Sequence, residues 1–270
     1  MTPINPMRIA YGLVLALGLG GCAQPLFPAL SDIDLTWANA VVVLPALSED
    51  DVLVSTMNSP EMNDRLAMLA DGEALPIAVY MHGCTGIGGL KFLEKLADEG
   101  FAVIAPNSFA RSFRPLQCDP ETKSGGFNLF VYDFRMAEIS FALEKLWYAE
   151  WADWSRMVLA GVSEGAVAVA LYRGDEFNAR VIAQWTCNGA PLVAGIDAPL
   201  DEPILAVVGA DDPWYANLAE GEERVDCSKY FDGRPGSRAE IIYKSEAHDV
   251  FENAAMVEAM VYFLTAAVDL

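Results

Sequence analysis

The stretch RMVLAGVSEGAVAVALY, Arg156 to Tyr172, decides how the rest of the chain is read. An apolar run ends in Gly161-Val162-Ser163-Glu164-Gly165, and a segment rich in alanine and valine follows. The pattern predicts a buried strand over 157–161 and a helix after Ser163. A tight turn between the two would push the serine side chain out at the top of a sheet, in a strained conformation. Glycine on both flanks relieves crowding against neighbouring backbone. The Glu164 amide, at the helix start, would point at a developing oxyanion, where the helix dipole adds favourable potential. Alone, G-x-S-x-G is short enough to arise by chance, and Ser163 could be an ordinary turn residue. Its surroundings have to decide.

Those surroundings alternate. IAVYM (77–81) and FAVIA (101–105) read as strands, with a helix over 88–100 between them. A long loop rich in Arg, Pro and Gly spans 106–128, and 129–151 has apolar residues at helical spacing. Beyond Ser163, strands are predicted at 180–186, 203–209 and 239–244, helices at 213–222 and 250–268. Upstream, 40–44 is a strand, and 59–72 is a helix capped by Ser59, begun by Pro60 and stopped by Gly72. Strands alternating with helices imply an α/β fold: a mostly parallel sheet with helices on both faces. Ligands in such folds bind beyond the carboxyl ends of the strands.

A serine needs a base to become a nucleophile. The chain has two histidines. His248 follows the last predicted strand, and His82 ends an early one. Among α/β-hydrolases the chain order is nucleophile, acid, histidine, which His248 fits and His82 does not. His82 reads better as a residue holding the loop after its strand. Asp211 and Asp212 both stand at the end of the strand in between, and Asp212, before Pro213, could also be a plain helix cap. Tyr80, Phe109, Trp185 and Trp214 are pocket-wall candidates, although core packing would explain most of them. Arg111 and Arg114 read either as solvated loop residues or as a binding site for a substrate carboxylate.

Composition narrows the field. Asp plus Glu number 38 against 17 Lys plus Arg, a formal net charge of -21. Nucleic acid, which demands a basic footprint, is excluded as a partner. At 270 residues with 53% hydrophobic content the chain is long enough for one large domain. Residues 1–21 look like a secretory signal: Arg8 supplies the positive region, and Ile9 to Leu19 is an apolar run shorter than the about 20 residues a membrane span needs. Leu19-Gly20-Gly21-Cys22 resembles a bacterial lipobox, which implies cleavage before Cys22 and its lipidation. The chain is then expected to be exported and lipid-anchored on the periplasmic side of a bacterial membrane. Ala23 after the cysteine resembles the outer-membrane sorting class. Residues 22–36 carry two prolines and no helical period and read as a tether, leaving 37–270 as the folded domain.

The remaining cysteines, Cys84, Cys118, Cys187 and Cys227, are an even set in an oxidising compartment. They allow three pairings. Cys84–Cys118 and Cys187–Cys227 are preferred, since each would join neighbouring loops of the alternating fold. No CxxC spacing or histidine cluster marks a metal site, and no nucleotide or flavin motif stands out; no cofactor is expected.

Taken in order, HGCTGIGG, GFAVIAPNSFARSF…C, GVSEGA, VVGADDPW and AHDVF resemble the dienelactone hydrolase family of the α/β-hydrolases, in its exported bacterial form. The resemblance runs from about Leu75 to Leu270. It implies an α/β-hydrolase fold with no large cap domain, and a triad of Ser163, Asp212 and His248. It also places the second oxyanion donor, beside the Glu164 amide, at the amide of Cys84. The best-known members use a cysteine nucleophile; Ser163 in its place favours ester chemistry over lactones. The expected partner is a small ester substrate, with lactones or thioesters as variants. The alternative is a surface lipoprotein that keeps the scaffold for binding or acyl transfer. Oligomeric state is not legible.

Overall fold

The computed structural model describes residues 30–47, 52–190, 193–215, 226–242, 248 and 250–270. The expected signal segment 1–21, Cys22 and the expected tether up to residue 29 lie outside them, as do residues 216–222 of the expected helix and 243–244 of the last expected strand. The chain begins with α1 (Asp32–Ala38), the antiparallel pair β1 (Val41–Leu44) and β2 (Leu53–Thr56), and α2 (Pro60–Ala70). Next come β3 (Leu75–Met81), α3 (Leu90–Asp98) and β4 (Ala102–Ala105). A long connection holds the short ladder of β5 (Cys118–Asp119) and β6 (Ser124–Gly125). Then follow α4 (Phe130–Leu146), β7 (Ala152–Val162), α5 (Glu164–Leu171), β8 (Ala179–Ala183), β9 (Ile204–Gly209), β10 (Arg238–Ile242) and α6 (Ala254–Ala266).

Eight strands form one sheet in the order β10-β9-β8-β7-β3-β4-β1-β2. Only β1 runs against its neighbours; the others pair in parallel. The period of two along each strand divides the core. Ile77, Val79 and Met81 face the side covered by α2, α4 and α5, while Ala78 and Tyr80 face α3 and α6. Burial on both faces explains why β9 is apolar throughout.

The local signals mostly hold. Ser59 accepts a hydrogen bond from the Met62 amide at 3.1 Å, and Pro60 opens α2. One expectation is corrected: the folded part starts before residue 37. Residues 32–36 of the expected tether belong to α1, which Ser31 and Asp34 start as a reciprocal capping box, with Thr36 buried. The helix is one short turn-pair after two prolines, too brief to leave a period. β2 was also not expected; LVST has little apolar alternation. Buried Arg180 of β8 donates to the carbonyls of Val169, Tyr172 and Gly174 and pairs with Glu202, closing the C-terminus of α5.

The join between β7 and α5 positions everything functional. Ser163 has φ 53° and ψ −118°, a backbone state that costs on the order of 1–3 kcal/mol for a non-glycine residue. α5 lies directly against the ends of β3 and β7. A Cβ on Gly165 would stand 2.0 Å from the Met81 carbonyl oxygen, and one on Gly161 would stand 2.7 Å from the Gly165 carbonyl. Since the obstacle is backbone, it cannot rotate away. Gly165→Ala is therefore expected to destabilise the fold by at least about 3 kcal/mol, whereas Gly88→Ala, where a Cβ meets open space, should stay within about 0.5 kcal/mol. Urea midpoints at unchanged m-value check this; equal midpoints for the two variants would contradict the packing account.

Candidate active site

Because β3, β7, β8, β9 and β10 are parallel, their carboxyl ends share one edge of the sheet. That edge brings together three side chains far apart in sequence. Ser163 Oγ lies 3.0 Å from His248 Nε2, and His248 Nδ1 lies 2.6 Å from Asp212 Oδ2. A carboxylate at Nδ1 fixes the proton there and leaves Nε2 free to accept from the serine hydroxyl. Asp212 is fully buried and its other oxygen accepts from the Trp214 amide at 3.0 Å, so one residue both caps a turn and holds the imidazole. Asp211 is exposed. The Trp214 ring stacks on His248 at 4.8 Å between centroids, fixing the imidazole plane from a second side.

The two expected amide donors stand beside this line. Glu164 is the first residue of α5, and Cys84 lies just beyond β3. Neither amide finds an acceptor among the described residues. Both disulfides form in the preferred pairing, Cys84–Cys118 and Cys187–Cys227. The first ties the loop after β3 to β5; the second ties the loop after β8 to residues following β9.

Two openings flank Ser163. One, about 530 Å³, is lined by Gln117, Tyr132, Val167, Trp185 and the Cys84–Cys118 bridge. The other, about 820 Å³, is lined by Tyr80, Phe251, Glu252 and the glycines after Cys84. Ser163, Cys84, Trp214 and His248 line both. Of the wall candidates, Tyr80, Trp185 and Trp214 are thus in place. Phe109 lies outside both linings and packs against His82 and under the Arg114 guanidinium.

Behind the site lies a charged cluster that pattern reading did not anticipate. Arg135 and Glu138 of α4 are fully buried and paired at 3.0 Å. Arg114 Nη2 reaches Glu164 Oε1 at 2.6 Å, and Arg111 pairs with Glu138 at 2.8 Å and Asp32 at 3.1 Å. This corrects both readings of the two loop arginines: they are neither solvated nor open to a substrate carboxylate, because carboxylates of the chain already occupy them. The signal available was an Arg and a Glu three residues apart on the apolar face of α4, a spacing that places both in the core. Burial pushes the Glu164 carboxyl above its ordinary range against the pull of Arg135 and Arg114.

His82 is the hub of the same cluster. It is fully buried; its Nδ1 donates to the Gly83 carbonyl at 2.7 Å and its Nε2 accepts from the Ser108 amide at 3.1 Å. It holds the loop after β3, as its position in the sequence indicated. Burial, and then the Arg135 charge, hold its pKa well below 6.5. The unfolded chain takes up a proton as pH drops through about 6.5 and the folded chain does not, so this group removes stability on acidification. Glu164, shifted upward, acts with the opposite sign, so the variant rather than the wild-type slope isolates the imidazole. His82→Gln should flatten the loss of urea stability between about pH 7.5 and about pH 5; a slope equal to wild type would contradict it.

No protein-family model matches the chain, and no curated protein matches it in sequence. Solved structures do resemble it. The methylesterase BT1017 superposes with a TM-score of 0.50 at 16% identity, over 74% of this chain and 50% of its own. A candidate dienelactone hydrolase of Klebsiella pneumoniae gives 0.49 at 17% identity, over 85% of this chain and 98% of that one. An esterase of the archaeon Pyrobaculum calidifontis gives 0.47 at 16%, over 73% and 79%. At these identities the likeness is one of fold. With its mostly parallel eight-stranded sheet and its serine on the turn into α5, the fold is that of the α/β-hydrolases.

Proposed function

We propose that the chain is a serine hydrolase of carboxylic esters, working through Ser163, His248 and Asp212. The observation that carries this reading is the continuous line from Ser163 Oγ to His248 at 3.0 Å and on to Asp212 at 2.6 Å, made at the strained turn beside an open cavity. His248 takes the proton of Ser163 as its oxygen bonds to the ester carbonyl carbon. The carbonyl oxygen becomes an oxyanion, received by the amides of Cys84 and Glu164, each donor of this kind accounting for about 10² to 10³ in turnover. The tetrahedral species expels the alcohol, which leaves with the proton from His248. Water then attacks the acyl-enzyme with His248 as base, and the acid is released. Asp212 keeps the imidazole in the required tautomer and stabilises its charged form. Lactones and thioesters fit the same chemistry.

The lipobox at Leu19 to Cys22 supports export and lipid anchoring, and the two disulfides fit an oxidising compartment. Among the described residues no helix is long and apolar enough to cross a membrane. The anchor in this reading is the lipid on Cys22. Radiolabelled palmitate should enter the wild-type chain and not Cys22→Ser; equal incorporation removes the anchor.

Ser163→Ala should fold as wild type, lose at least about 10⁴ in turnover of a short p-nitrophenyl ester, and no longer react with a fluorophosphonate. Asp212→Asn should lose about 10⁴ while keeping the geometry. Wild-type rates in Ser163→Ala would end the reading.

A further inference from the structure

We propose that Arg135 is a positioning residue that sets the two oxyanion amides relative to each other, an inference that rests on the hydrolase reading above. The amides come from separate parts of the chain: Cys84 from the loop after β3, Glu164 from the start of α5. Arg135 reaches both parts from α4. Its Nη2 donates to the His82 carbonyl at 2.8 Å, and its Nη1 lies 3.1 Å from His82 Nε2. His82 passes the hold one residue further, donating to the Gly83 carbonyl, which is part of the peptide that carries the Cys84 amide. On its other edge, Arg135 Nε makes an ion-pair contact of 3.6 Å with Glu164 Oε1, the oxygen that accepts a hydrogen bond from Arg114. Glu138 holds the guanidinium in place by pairing with Nη1.

A guanidinium suits this task because it is planar and its donors are fixed in a fork; an ammonium of the same charge cannot span both segments. The two donor amides must lie within hydrogen-bond distance of one oxygen that exists only during the reaction. An error of about 1 Å in such an arrangement costs as much as about 10² in rate without weakening ground-state binding. Arg135 therefore acts on the transition state through the backbone, while touching neither substrate nor reacting atoms.

The test uses Arg135→Lys, and Glu164→Gln as a second variant that alters the other end of the same link without removing a buried arginine. Each is compared with wild type in kcat and KM for a short p-nitrophenyl ester, and in Ki for a trifluoromethyl ketone, whose adduct with Ser163 carries the oxyanion. Near-ultraviolet circular dichroism reports that the variants are folded. The expected result is a fall in kcat of about tenfold to about a hundredfold, KM within about threefold, and a Ki that rises by the factor by which kcat/KM falls. Folded variants that keep wild-type kcat and Ki, or whose loss lies in KM alone, overturn the role of Arg135 and leave the hydrolase reading standing. A wild-type protein inert to every ester and to the ketone overturns both.

Discussion

Gly165 lies so close to the Met81 carbonyl that no side chain fits between them, and this backbone contact is what the rest of the molecule is arranged around. It lets α5 come down on the sheet directly over the ends of β3 and β7. With the helix that low, the chain has a single residue in which to turn from strand to helix, and Ser163 takes the strained positive-φ conformation that results. The strain is held by neighbours on several sides: the Ser163 amide donates to the Ala183 carbonyl of β8, and its carbonyl accepts from Val167 in the first turn of α5. A serine in a relaxed turn would lie lower and would not reach an imidazole carried by another loop.

The same low approach creates an electrostatic problem behind the turn. Glu164, next to Ser163, has to put its side chain somewhere, and the sheet edge offers only the core. The chain resolves this with arginines from two different segments, Arg114 and Arg135; Glu138 balances Arg135 and, together with Asp32, the neighbouring Arg111. Buried ion pairs of this sort repay their desolvation only when geometry is good, and a well-packed apolar cluster would serve stability as well. What apolar packing lacks is direction. Hydrogen bonds to His82 and to Glu164 fix orientations on both sides of the serine, and a protein with a net charge of -21 keeps several of its few cations for that interior task.

How much of this could be read from the sequence depends on the range of the interaction responsible. The strands at 77–81 and 203–209 were legible because burial on both faces writes a continuous apolar run. Ser59-Pro60 was legible because caps act within one turn. Ser163, Asp212 and His248 were legible through their order and through the strand ends that carry them. α1 was missed because its start signal, Ser31 with Asp34, sits in a segment too short to show a period. The partners of Arg111 and Arg114 were not legible at all: Glu138 and Glu164 lie 27 and 50 residues away, and charge complementarity at that range leaves no spacing rule. Glu164 looked like the donor of an amide only; that its carboxylate is also committed, inward, follows from the depth at which α5 lies.

The parts of the site differ in where their partners lie, and the difference follows their proposed roles. The amide-bearing segments are covalently or ionically fixed: Cys84 by its disulfide to Cys118, Glu164 by two arginines. Asp212 is fixed by burial and by the Trp214 amide. His248 meets the Asp212 carboxylate, the Ser163 hydroxyl and the Trp214 indole face, and its side chain is 23% exposed. In the proposed reaction the imidazole exchanges protons with Ser163, an alcohol and water in turn, so it sits where these can reach it, whereas the donors that receive charge must already be in place when it forms. Amide donors fixed at residues 84 and 164, an acid fixed at 212 and an imidazole at the solvent-facing rim at 248 suit the acyl transfer proposed. The arrangement is produced by giving the three fixed residues partners from the core and leaving the fourth with partners at the rim.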